Sequence, residues 1–505
     1  MDRRSFVGTG LASAAFAATP PLAARPRPRR WTGTIEGGVH SFKGIRYGTV
    51  ERFRAPKPFL PAGTVAATAF VPSCPQPSKV GATSEDCLYL NVWTADPDAR
   101  AAKPVMVYIH GGAYSNGSAV EPLHDGQPLA ARGDVVVVTV NHRLNAFGYL
   151  YLARLDPRFP DSGNAGQLDL ILALKWIRDN IASFGGDPGR VMVFGQSGGG
   201  AKIATLMGMP AARGLFHRAA TMSGQQVTAS GPLNATARAR AYLAKLGVKD
   251  DDLSPLLTLP SERLVEALSA TDPILGGGVY MGPVLDMQWL VRHPFWPDAN
   301  PLGNTVPLIL GNTARETGAF VDPDGAKLRD LTWDTLPARM APELRVDLAP
   351  EWIVAEYRKR LPEMTPMDVF YDATTAGRSW PGQLIEAEAR ARAGVPAWVY
   401  QLDYTSRTDP RRGAFHTMDI PLVLGTLDRP GSQTGTGPDA RAASQAMQDR
   451  FVAFAHTGVP DPRWPRYDLK TRATMIFDTT AHVENDPRRW QRELFGRAPY
   501  IQPGS

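Results

Sequence analysis

Runs of consecutive apolar residues, rather than alternating ones, constrain this chain most. Val105-Met106-Val107-Tyr108-Ile109 has no polar break, and residues 135–140 are valines interrupted by a single threonine. A strand with one face in water alternates polar and apolar side chains, whereas one that is apolar throughout needs cover on both faces. Further strands are expected at 88–94, 190–194, 219–222, 306–310, 397–403 and 473–477, with helical patterns such as 168–177 between them. That alternation predicts an α/β fold: a central, mostly parallel sheet with helices on both faces. Residues 33–45 alternate about a glycine turn, as an N-terminal antiparallel hairpin would. The segments 232–301 and 331–376 are weakly patterned and helix-rich. They are expected as helical cap insertions over the C-terminal edge of the sheet, where open α/β folds bind ligands. Residues 430–438 read as a surface loop leading into an amphipathic helix at 442–456.

Chemistry is announced in one place. Ser197 stands in Gly195-Gln196-Ser197-Gly198-Gly199, after the apolar run ending at Phe194 and before the helical stretch Ala201 to Met207. The frame G-x-S-x-G places a serine on a strained strand-to-helix turn, with its hydroxyl held out at the edge of the sheet. A serine hydroxyl needs a base to take its proton and a third group to orient that base, in the chain order serine, acid, histidine. His416, His456 and His482 follow a plausible acid. His456 closes an amphipathic helix, where a histidine suits the dipole, and His482 lies in a polar C-terminal stretch. His416, in the loop after the strand ending at 403, is therefore the expected base. Glu316, beyond the strand 306–310 and the turn Gly311-Asn312-Thr313, is the expected acid, with Asp322 and Asp324 as fallbacks. The loop His110-Gly111-Gly112-Ala113-Tyr114 would supply backbone N–H groups for an oxyanion hole, joined by the N–H of Gly198. One such donor is typically worth about 3–4 kcal/mol of the barrier. His110 precedes the serine and is expected to brace this loop.

Composition excludes several classes. Basic residues number 55 against 49 acidic, a net charge of +6 with the signs interspersed. There is no basic stripe with interleaved aromatics, so nucleic acid is not an expected partner. No metal-ligand spacing and no phosphate-cradling glycine loop implies a cofactor. Arg3-Arg4 before a mildly apolar stretch reads as a twin-arginine export signal over residues 1–24. Residues 25–505 would then be one mature domain in the bacterial periplasm or outside the cell, without stable membrane insertion. Two cysteines, Cys74 and Cys87, invite pairing in an exported protein, a bridge worth roughly 3 kcal/mol. Two separate buried thiols are the alternative.

The chain resembles the type-B carboxylesterase family, which includes bacterial esterases, cholinesterases and non-catalytic neuroligin-like proteins. The likeness rests on Glu85-Asp86-Cys87-Leu88-Tyr89-Leu90-Asn91-Val92-Trp93, Phe184-Gly185-Gly186-Asp187-Pro188 and Phe454-Ala455-His456-Thr457-Gly458-Val459-Pro460. It implies an α/β-hydrolase fold and a serine carboxylesterase acting on small esters through an acyl-enzyme. It places the triad at Ser197, Glu316 and His416 and the oxyanion donors at Gly112, Ala113 and Gly198. It also implies a Cys74–Cys87 disulfide and supporting roles for Ser223 and Asp419. The same triad would serve an amide or carbamate hydrolase, and the same fold a silent binding protein. Two departures bear on substrate: Gln196 stands where the family often has Glu, and the loop between the cysteines lacks an aromatic residue. Choline esters, which need an aromatic cage, are poor candidates. Lys202 is unusual in a helix that packs inside. Sequence leaves it either solvated or buried against a carboxylate such as Asp169.

Overall fold

The structure, a computed structural model, describes residues 30–78 and 80–505. The export signal expected at 1–24 lies outside them. Eleven strands form one sheet. In chain order they are β1 (Thr34–Glu36), β2 (Val39–Arg46), β3 (Tyr89–Thr94), β4 (Lys103–Ile109), β5 (Val136–Val140) and β6 (Gly186–Gln196). Then come β7 (Arg218–Met222), β8 (Leu308–Thr313), β9 (Ala397–Leu402), β10 (Ala473–Phe477) and β11 (His482–Asn485). Their spatial order is β11-β10-β9-β8-β7-β6-β4-β5-β3-β2-β1. The run from β10 to β5 is parallel throughout. The flanks are antiparallel: β11 on β10 at one edge, and β3, β2 and β1 at the other.

The consecutive apolar runs are the central strands, and their pleat feeds two cores. Val105, Val107 and Ile109 of β4 join one core with Val191, Val193, Leu308 and Leu310. Met106 and Tyr108 join the other with Met192, Phe194, Ile309 and Trp398. Among the helices that serve these cores are α1 (Ala165–Asn180), α2 (Gly198–Met207), α3 (Trp380–Arg392) and α4 (Pro438–Thr457). Residues of α1, α2 and α3 lie in the first core, and Met447, Phe451 and Phe454 of α4 in the second. Helix α4 starts earlier than the apolar pattern suggests, because Pro438 takes its first position, where a missing N–H costs nothing.

The two expected caps differ. Tyr242, Leu243 and Leu256 merge with the first core, so 232–301 extends the main body. The segment 321–376 packs Ile353, Tyr357, Phe370 and Tyr371 with Leu494 and Phe495 into a core of its own. Among the described residues no helix is long and apolar enough to cross a membrane.

Candidate active site

Gly112, Ala113, Ser197, Gly198, Ser223, Glu316 and His416 all lie beyond the C-terminal end of a parallel strand. Ile109 of β4 pairs with Gly195 of β6, and Met222 of β7 pairs with both Gln196 of β6 and Gly311 of β8. Ending the strands in register brings the loop after β4, Ser197 after β6, Ser223 after β7 and Glu316 after β8 to one edge. His416 arrives on the loop following β9. Backbone hydrogen bonds clasp the acid and base loops together. The Arg315 N–H donates to Ala414 O at 2.8 Å and the His416 N–H to Glu316 O at 3.3 Å.

Ser197 has φ 55° and ψ −125°, a conformation costly for any residue with a side chain. It is fixed by its N–H donating to Met222 O at 2.7 Å and by its carbonyl accepting from the Ala201 N–H at 3.1 Å. Helix α2 then runs from Gly198 pressed against the neighbouring loop: a Cβ there would stand 2.0 Å from Ala113 O. On that loop Gly112 has φ 81° and Ala113 φ 50°. The Gly112 carbonyl accepts from Ser115 at 3.1 Å and Asn116 at 2.9 Å, closing a tight turn. Among the described residues no acceptor takes the N–H of Gly112 or of Ala113.

Glu316 and His416 are both buried, and Glu316 Oε2 is hydrogen-bonded to His416 Nδ1. Glu316 Oε1 accepts from Ser223 Oγ at 2.7 Å, Asn312 Nδ2 at 2.9 Å and the Thr313 N–H at 2.8 Å. Burial alone would raise the Glu316 pKa, but the charge and hydrogen bond of His416, with Ser223 and Asn312, outweigh it and hold the carboxyl below its ordinary value. Asp419 makes no hydrogen bond to Ser197, Glu316 or His416. It accepts from Tyr400 OH at 2.8 Å, and burial pushes its pKa up to about 6. Ser197 and His416 line one cavity of about 320 Å³, together with Ala113 and Gly198. Their side chains are not hydrogen-bonded to each other, a looseness common in catalytic pairs before substrate binds.

The other carboxylates and histidines stand elsewhere. Asp322 and Asp324 are exposed and pair with Arg412 and Arg411. His456 Nε2 contacts Gly133 O at 3.1 Å, and His482, on edge strand β11, pairs with Glu484. His110 stacks on His142, ring centroids 4.8 Å apart, with its Nδ1 3.0 Å from Gly111 O. Among the described residues no group of His, Cys, Asp and Glu could hold a metal ion.

Two readings of Lys202 fail together. It is wholly buried, and Asp169 is engaged by Arg143, at 2.6 and 2.8 Å to its two oxygens. Lys202 Nζ instead donates to Ala113 O at 2.8 Å and His110 O at 3.2 Å, beside the Tyr114 ring. Burial without a carboxylate pulls its pKa from 10.5 to about 7. Cys74 and Cys87 are two buried thiols here, in contact rather than bridged. The hydrogen bond to Cys74, then burial, pushes the Cys87 thiol well up. Sequence reading missed Asn312 as a ligand of Glu316, and missed Arg345, Arg378, Tyr280, Phe320 and Tyr500 as walls of the cavity.

A serine at the strand-to-helix elbow of a mostly parallel sheet, beside a buried acid–histidine pair, defines an α/β-hydrolase. The Carboxylesterase family matches residues 29–494. The para-nitrobenzyl esterase of Bacillus subtilis is 36% identical over 487 residues, covering 91% of this chain and 96% of that one. The fumonisin B1 esterase of Sphingopyxis macrogoltabida is 31% identical, covering 86% and 83%. The crystal structure of a Geobacillus stearothermophilus carboxylesterase superposes with TM-score 0.82 at 35% identity, covering 93% of this chain and 99% of that one. The chain belongs to the carboxylesterase family and is a serine carboxylesterase of the α/β-hydrolase fold.

Proposed function

We propose that Ser197 is the nucleophile, His416 the general base and acid, and Glu316 the group that orients His416. The N–H groups of Gly112, Ala113 and Gly198 form the oxyanion hole. One observation carries this reading: the buried relay Ser223–Glu316–His416 opens onto the cavity that Ser197, Ala113 and Gly198 also line. As Ser197 Oγ bonds to the ester carbonyl carbon, His416 Nε2 takes its proton. The charge gathering on the carbonyl oxygen meets the N–H groups. The same proton passes to the leaving alkoxide, the ester C–O bond breaks, and the acyl group stays on Ser197. Water, deprotonated by Nε2, repeats the sequence and releases the acid. Glu316, held ionised by His416 and three hydrogen bonds, keeps Nδ1 protonated throughout.

The test is a panel of para-nitrophenyl and para-nitrobenzyl esters assayed with the wild type and Ser197→Ala. Turnover by the variant should fall below about one thousandth of wild type, since removing a triad member usually costs more. A higher residue of activity with the fold intact would refute the assignment. Residues 1–24 are proposed as a twin-arginine leader, removed on export, with a Cys74–Cys87 bridge forming in the oxidising compartment. Support comes from the paired arginines and the contact between the two thiols. Two titratable thiols in unreduced, denatured exported protein would disprove the bridge.

A further inference from the structure

The cavity at Ser197 carries two arginines and no carboxylate. Arg345 and Arg378 line it with Tyr280, Phe320, Ser379 and Tyr500, and none of its lining residues is Asp or Glu. Glu316 lies behind His416, to which it is bonded. Arg378 is fixed by an ion pair to Glu343 at 2.5 Å, and its guanidinium lies 4.8 Å above the Phe320 ring. Lys327 binds the same Glu343, so one carboxylate serves two cations. Arg345 has none: among the described residues no carboxylate lies within ion-pair distance of it. Its Nη1 donates to the backbone carbonyls of Pro342 at 3.0 Å and Leu344 at 2.9 Å. Those bonds lock the side chain in place, while Nε and Nη2 have no partner among the described residues.

The two guanidiniums feel each other. Burial lowers the Arg378 pKa, Glu343 opposes that, and the charge of Arg345 lowers it further. Glu316 also reaches Arg378 with its charge, from behind His416. The buried Glu386 carboxyl, whose charge would reach Tyr500, accepts from the Gln226 N–H at 2.7 Å. Burial pushes its pKa up to about 8, so at neutrality it is mainly protonated and cancels little. Uncompensated positive charge in a concave wall raises the local concentration of anions. A planar guanidinium with free donors matches a carboxylate in shape as well as sign.

We propose that this esterase selects esters that also bear a free carboxylate, held by Arg345 and Arg378 while the ester carbonyl sits at Ser197. This rests on the assignment of Ser197 above. A cavity of about 320 Å³ suits a short ligand, such as the half-ester of a small dicarboxylic acid. The carboxylate can belong to the acid or to the alcohol portion, since the arginines recognise the group and not its carrier.

Two substrate pairs separate these sources. Para-nitrophenyl hydrogen succinate against para-nitrophenyl succinamate places the charge on the acid side. Para-acetoxybenzoate against para-acetoxybenzamide places it on the alcohol side. In at least one pair, kcat/KM for the charged ester should exceed that for its neutral isostere about tenfold or more, with the ratio shrinking as salt is added. Arg345→Gln and Arg378→Gln should each bring the ratio towards one, and Arg345→Lys should keep part of it. Ratios near or below one in both pairs for the wild type would overturn the proposal. So would an undiminished ratio in both Gln variants. Turnover of the neutral esters that disappears in Ser197→Ala upholds the esterase assignment whatever the ratios, so the two failures are distinguishable.

Discussion

Replacing Lys202 with methionine should change the pH dependence of stability in a way that only a buried, unpaired amine can. In the native protein Lys202 gives up its proton near pH 7, against 10.5 for an ordinary lysine. Each pH unit between those titrations is worth about 1.4 kcal/mol, so the charged amine costs the fold about 5 kcal/mol below pH 7. Between the two values the unfolded chain binds the proton and the native one does not. Wild-type stability therefore gains from this residue as pH rises. Lys202→Met removes that cost but strands the carbonyls of His110 and Ala113, a loss of about 1–3 kcal/mol each that does not titrate. Near pH 6 the two effects nearly balance. By about pH 9 the variant should have lost roughly 3 kcal/mol relative to the wild type. Paired urea titrations across this range read the difference, because ionisations remote from Lys202 cancel and His110 and His142, which its charge helps to lower, are held neutral chiefly by burial. A difference that stays within about 0.5 kcal/mol from pH 6 to 9 would refute the reasoning. Freed from Lys202, the loop that carries Gly112 and Ala113 should also lose its fixed position, lowering kcat about tenfold or more with KM less affected.

Other outcomes follow from the same geometry. His416→Ala should be about as inactive as Ser197→Ala, and the double variant no worse. His456→Ala and His482→Ala should keep near-wild-type kcat/KM, and loss in either with retention in His416→Ala would reverse the choice of base. Gly198→Ala should cut kcat at least about tenfold, because its methyl would lie 2.0 Å from Ala113 O, and unchanged kcat would show that the loop yields freely. Acetylcholine should be hydrolysed with kcat/KM at least about tenfold below an isosteric neutral ester, 1.4 kcal/mol in transition-state binding. The cavity holds aromatic rings, but Arg378 already covers Phe320 and Lys202 lies by Tyr114, so comparable values would mean that Tyr280 and Tyr500 suffice as a cage.

Ser197 and Glu316 were legible as candidates because each follows closely on a strand end, which shows as the close of an apolar run. Gly311-Asn312-Thr313 before Glu316 and the glycines around Ser197 carry that signal in a few residues. His416, well past Leu402, was reached instead through the chain order serine, acid, histidine. Lys202 was misread because its partners are main-chain oxygens of a loop from another strand, which no side-chain pattern records. Arg345 lies in the cap and Arg378 just past its end, where polar residues follow no period, so their convergence on the cavity appears only once that cap has packed. Strand β11 went unseen because four mostly exposed residues at a sheet edge show no apolar alternation.

The clasp between the loops of Glu316 and His416 is made by the main chain, through Arg315 N–H to Ala414 O and His416 N–H to Glu316 O. Peptide groups are common to every substitution except proline, so this joint is indifferent to which side chains it carries. A lineage that lost the serine would keep the scaffold around the pocket intact. Enzyme and silent receptor are then neighbouring points in sequence space, separated by single codons and joined by the same backbone.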